Sequence, residues 1–350
     1  MSDAINKKRR HFLQIAGLGA ASLAASQLLQ LSPAQAQSAT QPSNAGLTGS
    51  AAELAPIKQI RAGVLDIGYY EAGPKTGPVV LLLHGYPYSI QSFAEVAPIL
   101  AGRGYRVIVP HLRGHGSTRF IDPATPRSGQ QGAIGADVIA LMDALEIKTA
   151  VFAGFDWGGR AACVAAALWP ERCNGLVSVN SYLVQDIAHA TAPIPAKLES
   201  GLWYQYYFQT ERGRLGLTAD RRAIAKVIWT RNSPGWNFDD ATLERTAKSF
   251  DNPDYVDVVI HSYRHRLGLA AGYPAYADIE KRLAALPPIT LPAITLDGVT
   301  DGNYPAGDGS ATAARFLGKR VHRQVPNAGH NLPQEAPQAF ADAVTDVLAL

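Results

Sequence analysis

Short apolar runs of strand length alternate with segments of helical spacing through much of this chain. The strand-like runs fall at 57–61, 65–70, 79–83, 106–110, 149–153 and 175–179, and again from Ala293 and Val321. Segments of helical period lie near 91–101 and 136–145, and a last amphipathic one covers 334–348. Several of the runs, such as 79–83, are aliphatic throughout rather than alternating, as expected of strands covered on both faces. The pattern predicts an α/β domain built on a mostly parallel, eight-stranded sheet flanked by helices. The alternation stops near Asn180. From 181 to 286 the sequence is helical and rich in aromatics, with Trp203, Trp229 and Trp236, and shows no β pattern. The expected organisation is therefore a sheet domain in two parts, 57–180 and 287–350, interrupted by a helical cap over 181–286, without internal repeats.

The first 56 residues follow a different logic. Twin arginines, Arg9 and Arg10, precede Phe12 and Leu13, then a mildly apolar stretch at 15–31, then Ala34-Gln35-Ala36. This is the layout of a twin-arginine export signal over 1–36, cleaved after Ala36, and it predicts a periplasmic or secreted enzyme that engages the twin-arginine export machinery as a precursor. An uncut membrane anchor and a basic nucleic-acid arm are the competing readings. Against the first, the stretch is short and diluted by Ser, Gln and Gly. Residues 37–56 form a Ser/Gly/Ala/Thr linker expected to be disordered.

Charge changes the picture once that segment is set aside. The chain has 32 basic and 29 acidic residues, of which the first 36 positions hold four and one, leaving 28 against 28. A formally neutral remainder gives no reason to expect nucleic acid or an anionic membrane as partner. Zinc-ligand spacing, a phosphate-binding glycine loop and a dinucleotide fingerprint are all missing from the sequence, so neither metal nor organic cofactor is expected. The two cysteines, Cys163 and Cys173, carry no metal pattern; Cys163 within a helix is expected to be a free buried thiol rather than half of a disulfide.

The chemistry concentrates at strand ends. The strand at 149–153 runs into Gly154-Phe155-Asp156-Trp157-Gly158-Gly159 and straight on into an alanine-rich helix. Such a corner drives its central residue toward positive φ and displays it at a helix N-terminus. There the dipole and free amides favour an anion. A carboxylate with a reference pKa of about 3.9 is already a nucleophile at neutral pH. Attack by Asp156 on an acyl carbon would give a reactive anhydride, whereas attack on a saturated carbon gives an ordinary ester; epoxides and carbon–halogen bonds are the suitable electrophiles. The strand at 79–83 runs into His84-Gly85-Tyr86-Pro87. The amides of Tyr86 and Trp157 are the expected oxyanion donors, and His84 is expected to serve the loop rather than the reaction. Further on, one strand leads to Asp297 and Asp301 and another to His330. His330 would activate water, oriented by Asp301 or, as the fallback, Asp297.

These motifs resemble those of the α/β-hydrolase fold, and within it the epoxide hydrolase and haloalkane dehalogenase branch that uses an aspartate nucleophile. The HG-x-P and G-x-D-W-G-G patterns read His84 to Pro87 and Gly154 to Gly159. The segments Trp203-Tyr204-Gln205-Tyr206-Tyr207 and His261-Ser262-Tyr263-Arg264 look like the two cap tyrosine segments of epoxide hydrolases. The resemblance implies Tyr204 and Tyr263 as donors to the ring oxygen, with Tyr206, Tyr207 and Tyr182 as substitutes. It departs at Phe155 and Asn331, where many relatives have histidine and an aromatic, so Phe155 and Trp157 are assigned to substrate binding. Trp157 stands where fluoroacetate dehalogenases place an arginine, which favours a small, neutral, apolar substrate.

The resulting expectation is a two-step hydrolysis. Asp156 opens an epoxide held by Tyr204 and Tyr263, and water activated by His330 and Asp301 then releases a diol from the alkyl-aspartyl ester. A dehalogenase, in which the Trp157 indole would cradle halide, is the alternative enzyme. A ligand-binding protein on a hydrolase scaffold, without turnover, is the alternative of another class.

Overall fold

The computed structural model describes residues 53–350. The expected export signal at 1–36, and the linker at 37–56 as far as residue 52, lie outside the described residues. Where the linker ends, the structure departs from the expectation. Leu54 is buried, and its amide donates to Gln91 Oε1 at 3.1 Å. A single apolar residue in a polar tract has no periodicity to announce it.

The strands are β1 (Lys58–Ala62), β2 (Leu65–Ala72), β3 (Val79–Leu83), β4 (Arg106–Pro110), β5 (Arg119–Phe120), β6 (Ala150–Gly154), β7 (Cys173–Val179), β8 (Ala293–Gly298) and β9 (Arg320–Val325). They form one sheet in the order β1-β2-β4-β3-β6-β7-β8-β9, with the two-residue β5 added to β2. The pairs from β4 through β9 are parallel, and β1, β2 and β5 run antiparallel. The eight strands of this path lie where the apolar runs predict strands. β5 is too short to carry a pattern of its own.

The helices of the sheet domain are α1 (Val96–Gly102), α2 (Gln131–Ala144) and α3 (Asp156–Leu168). Between β7 and β8 lie α4 (Trp203–Tyr207), α5 (Glu211–Ala219), α6 (Arg221–Asn232), α7 (Asp240–Ala247), α8 (Tyr255–Arg266) and α9 (Ala277–Leu283), and α10 (Pro337–Asp346) follows β9. No strand occurs between β7 and β8 among the described residues. α2 begins five residues before its predicted start. Gly132 and Gly135 weaken the local helical signal, yet a Cβ on Gly135 would lie 2.3 Å from Val164 Cγ1, so the glycine serves the contact between α2 and α3. The last predicted helix is divided at Ala336, which takes an extended φ of −141° ahead of Pro337.

Sheet order explains where a site can form. From β3 the chain winds through α1 to β4 on one side, then through α2 past β3 to β6 on the other. Right-handed crossovers in opposite directions put α1 and α2 on opposite faces. α3 packs with α2, and Arg103 after α1 bonds Asp342 and Thr345 of α10 at 2.6 and 2.9 Å. The two directions part at β3, and a crevice opens beyond its carboxyl end, as at other such switch points.

The β6–α3 corner depends on Gly158. A Cβ there would sit 1.9 Å from the Leu83 carbonyl oxygen. Gly158→Ala should cost roughly 3 kcal/mol or more of stability. Gly102→Ala, whose Cβ would meet nothing within 4 Å, should be neutral or stabilising by up to about 1 kcal/mol. Urea unfolding of the two variants checks the contrast, and equal midpoints would refute it.

Candidate active site

Every sequence-predicted chemical group outside the helical segment follows a strand: Tyr86 after β3, Asp156 after β6, Asp301 after β8 and His330 after β9. Parallel strands end on the same edge of the sheet, so residues far apart in sequence arrive together. Asp156 takes φ +50°, the left-handed conformation read from the corner, and is the first residue of α3. The close approach of Gly85, where a Cβ would fall 2.6 Å from Asp156 Cβ, brings the neighbouring amide within reach. The Tyr86 N–H donates to Asp156 Oδ1 at 2.7 Å. The Trp157 N–H belongs to the first turn of α3, whose amides have no acceptor within the helix.

The other carboxylate oxygen, Asp156 Oδ2, lies 3.7 Å from His330 Nε2. On the far side of the ring, His330 Nδ1 donates to Asp301 Oδ2 at 2.9 Å. Asp301 is fixed in turn. Its Oδ1 accepts from the amides of Asn303 and Tyr304 at 2.8 and 2.9 Å, and its Oδ2 from Asn180 Nδ2 at 3.3 Å. Asp297 is elsewhere: its Oδ2 accepts from the Gly307 amide and lies 3.6 Å from His322. Of the two aspartates considered, the structure sets Asp301 against His330.

Charge and burial pull these groups in opposite directions. Burial by itself would raise the Asp156 carboxyl, but the His330 contact and charge, Arg160 and the Tyr86 amide outweigh it and hold the group at about 2. Burial likewise opposes charging of His330. The Asp301 charge and the Asp156 contact prevail, raising the imidazole well above its ordinary value. Both shifts favour a charged imidazole between the Asp156 and Asp301 side chains.

Tyr204 and Tyr263 come from α4 and α8 and meet over this site, their rings 5.4 Å apart and at 88°. With Tyr86, Trp157, Phe208 and Tyr255 they form an aromatic cluster; Tyr86 stacks on Trp157 at 5.5 Å. Burial first, and the Asp156 charge with it, raises both phenols, so they stay un-ionised donors. The Tyr263 hydroxyl and the Trp157 indole N–H are buried without a hydrogen-bond partner. The possible substitutes lie apart: Tyr206 is exposed and bonds Glu199, and Tyr182 donates to the Pro287 carbonyl. Phe155 is fully buried, packed on Tyr88 at 5.0 Å and Phe93 at 6.1 Å, with the His330 ring 6.4 Å away. It braces the imidazole from the core side and does not face an opening. His84 is structural. Its Nε2 accepts from the Leu112 amide at 3.1 Å, and burial keeps the ring neutral.

Several supporting residues escaped the sequence reading. Ser233, just beyond α6, and Asn232, its last residue, accept from the His330 amide at 3.0 and 3.3 Å, and Glu335 holds the Gly329 and Asn331 amides. The Trp229 indole donates to the Pro87 carbonyl at 2.8 Å, tying α6 to the loop after β3. Tyr304 stacks on the His330 ring at 5.7 Å. None belongs to a motif; the Asp-Gly-Asn-Tyr run at 301–304 was the nearest signal. Both cysteines are free and buried. Among the described residues no cluster has the donors for a metal ion, and no helix is long and apolar enough to cross a membrane.

Comparison with known proteins places this geometry among relatives. A family profile described as alpha/beta hydrolase fold matches residues 78–334. A Klebsiella pneumoniae protein, solved under a provisional epoxide hydrolase assignment, is 52% identical, with a TM-score of 0.83 covering 86% of this chain and 100% of that one. The epoxide hydrolase of Caballeronia sordidicola is 27% identical over 315 residues, 83% of this chain and 94% of that protein. The magnesium-chelatase 30 kDa subunit of Rhodobacter capsulatus is 29% identical over 290 residues, 82% and 93% of the two chains.

The raised imidazole gives a direct test. Titrated by NMR, His330 should remain protonated well above pH 6.5. Asp156→Asn should lower its pKa, because one of the two carboxylates that favour the charged ring is then neutral. A wild-type ring already neutral at pH 6 would contradict the assignment.

Proposed function

The chain belongs to the alpha/beta hydrolase fold family, and within it we propose an enzyme that hydrolyses epoxides to diols through a covalent alkyl-aspartyl ester. One observation carries the reading: Asp156 Oδ1 rests on the Tyr86 amide at 2.7 Å while Oδ2 remains 3.7 Å from His330 Nε2. One oxygen is held where an oxyanion will form, and the other is free to attack. Fold alone names no reaction; the assignment rests on this pairing of carboxylate, imidazole and two phenols.

In the first step Asp156 Oδ2 attacks a ring carbon, the C–O bond breaks, and charge develops on the leaving oxygen. Tyr204 and Tyr263 donate hydrogen bonds to it. Alkylation removes the charge of Asp156, and with it part of what holds the His330 proton. The imidazolium can then yield its proton to the new alkoxide by way of the phenols, leaving a neutral ring. In the second step that ring takes a proton from water, and hydroxide adds to the ester carbonyl with the oxyanion on the Tyr86 and Trp157 amides. Collapse expels the alcohol, which takes the acid's proton. The diol leaves and the starting charges are restored. Asp301 keeps the ring oriented and stabilises its charged form.

A dehalogenase remains the second reading, favoured by the unpartnered Trp157 indole N–H, which could receive a halide. Two un-ionised phenols above the nucleophile suit an alkoxide better, since halide leaves without a proton.

Asp156→Ala should abolish turnover. His330→Gln should accumulate the ester, seen as a mass increase equal to that of the epoxide, and Tyr263→Phe should reduce kcat by roughly 10²-fold or more. Halide release that is indifferent to Tyr263→Phe would select the dehalogenase, and no adduct with a turned-over epoxide would sink the ester mechanism.

Residues 1–36 support export by the twin-arginine route. Replacing Arg9 and Arg10 by Lys should hold the protein in the cytoplasm, measured by cell fractionation; unchanged export would contradict it.

A further inference from the structure

Arg160 lies one turn beyond Asp156 on α3 and is 6% exposed, yet among the described residues neither a carboxylate within 4.0 Å nor a hydrogen-bond acceptor meets its guanidinium. Its Nε is buried without a partner. Arg266, at the end of α8, also has no acidic partner; its Nε and Nη2 are buried and unpartnered, and its guanidinium carbon sits 4.7 Å over the Tyr263 ring. Both arginines line one cavity of about 300 Å³, open to the surface. Arg160 is held down to about 10, by burial first and then by the like charge of Arg266. A guanidinium offers five donors and stays charged at neutral pH. Asp156 offsets part of the Arg160 charge from beyond contact distance, but it is shared with His330, so two guanidiniums on one cavity leave positive charge that a further anion would relieve.

None of the proposed reacting groups lines this cavity, but neighbours of four of them do. Arg160 follows the nucleophile, Gln205 adjoins Tyr204, Arg266 covers Tyr263, and Tyr304 stacks on His330. The one carboxylate in its lining, Asp186, is engaged by His189 Nδ1 at 2.7 Å.

We propose that this cavity is the subsite for a carboxylate on the substrate, gripped between Arg160 and Arg266 while the epoxide ring meets Asp156. The inference rests on the epoxide reading for the reacting group and adds the substrate class, short epoxy acids. Four residues of helix separate Arg160 from Asp156, a rise of roughly 6 Å, so the carboxylate lies within a few bonds of the ring. A bidentate guanidinium–carboxylate contact would fix which ring carbon faces Asp156 Oδ2. The expectation of a neutral substrate, drawn from Trp157, is thereby revised: the positive charge stands one helical turn further along.

The test compares 3-phenylglycidate with its methyl ester, identical at the epoxide and differing in charge. In the wild-type enzyme kcat/KM for the acid should exceed that for the ester by tenfold or more. Arg160→Gln and Arg266→Gln should bring the ratio toward one, chiefly through KM, and Arg160→Lys should keep part of it. Equal values, or a preference for the ester, in the wild-type enzyme would overturn the proposal without recourse to any variant. Should neither these compounds nor styrene oxide yield a diol, the epoxide reading falls by itself and the subsite is judged by binding. Saturable quenching of tryptophan fluorescence by cinnamate, weakened tenfold or more in Arg160→Gln, would support it; no saturable quenching would overturn it.

Discussion

Placing an imidazole between two carboxylates in the interior obliges each charge to answer for the others. Asp156 and Asp301 flank His330 at 3.7 and 2.9 Å, and the imidazole and the Asp301 side chain are almost wholly shielded from water. No member of such a trio is tolerable alone, because an uncompensated buried charge is expensive. The arrangement stands because the sheet delivers all three to one edge, and because fixed amides take up the oxygens the ring does not reach.

That dependence explains the density of support around the loops. The Asp301 loop curls so that two of its own amides point back at the carboxylate. The loop after β9 is held by Ser233, Asn232 and Glu335. Two of these three come from the segment between β7 and β8. The helical region therefore does more than cover the site: Trp229 anchors the loop after β3, and residues 232 and 233 position the histidine. A change in that region can disturb chemistry it never touches.

Above the trio the surroundings divide. One side is an aromatic wall of Tyr86, Trp157, Tyr204 and Tyr263, suited to an apolar substrate body and to un-ionised donors. Nearby, Arg160 and Arg266 line a cavity, and among the described residues no carboxylate pairs with either within 4.0 Å. A substrate matching both halves would pair a hydrophobic group with an anionic one, and the reacting carbon would lie between them.

The sequence by itself determined the positions of the strands, the sharp corner at Asp156 and the strand ends from which Tyr86, Asp301 and His330 project. These depend on neighbours a few residues away: apolar runs, flanking glycines and the tolerance of aspartate for positive φ. Parallel strands then assemble those ends without further instruction. What spacing could not decide, the tertiary structure did. Asp297 and Asp301 are four residues apart, and the Gly-x-x-Asp spacing gives Asp301 a preference only; the fold sets Asp297 against His322 and Asp301 against His330. Phe155, adjacent to Asp156, turns into the core. Arg160 and Arg266, 106 positions apart, carry no joint signal, because only the tertiary fold brings both to one cavity. Local preference sets where the chain bends; only long-range packing sets which side chains then face one another.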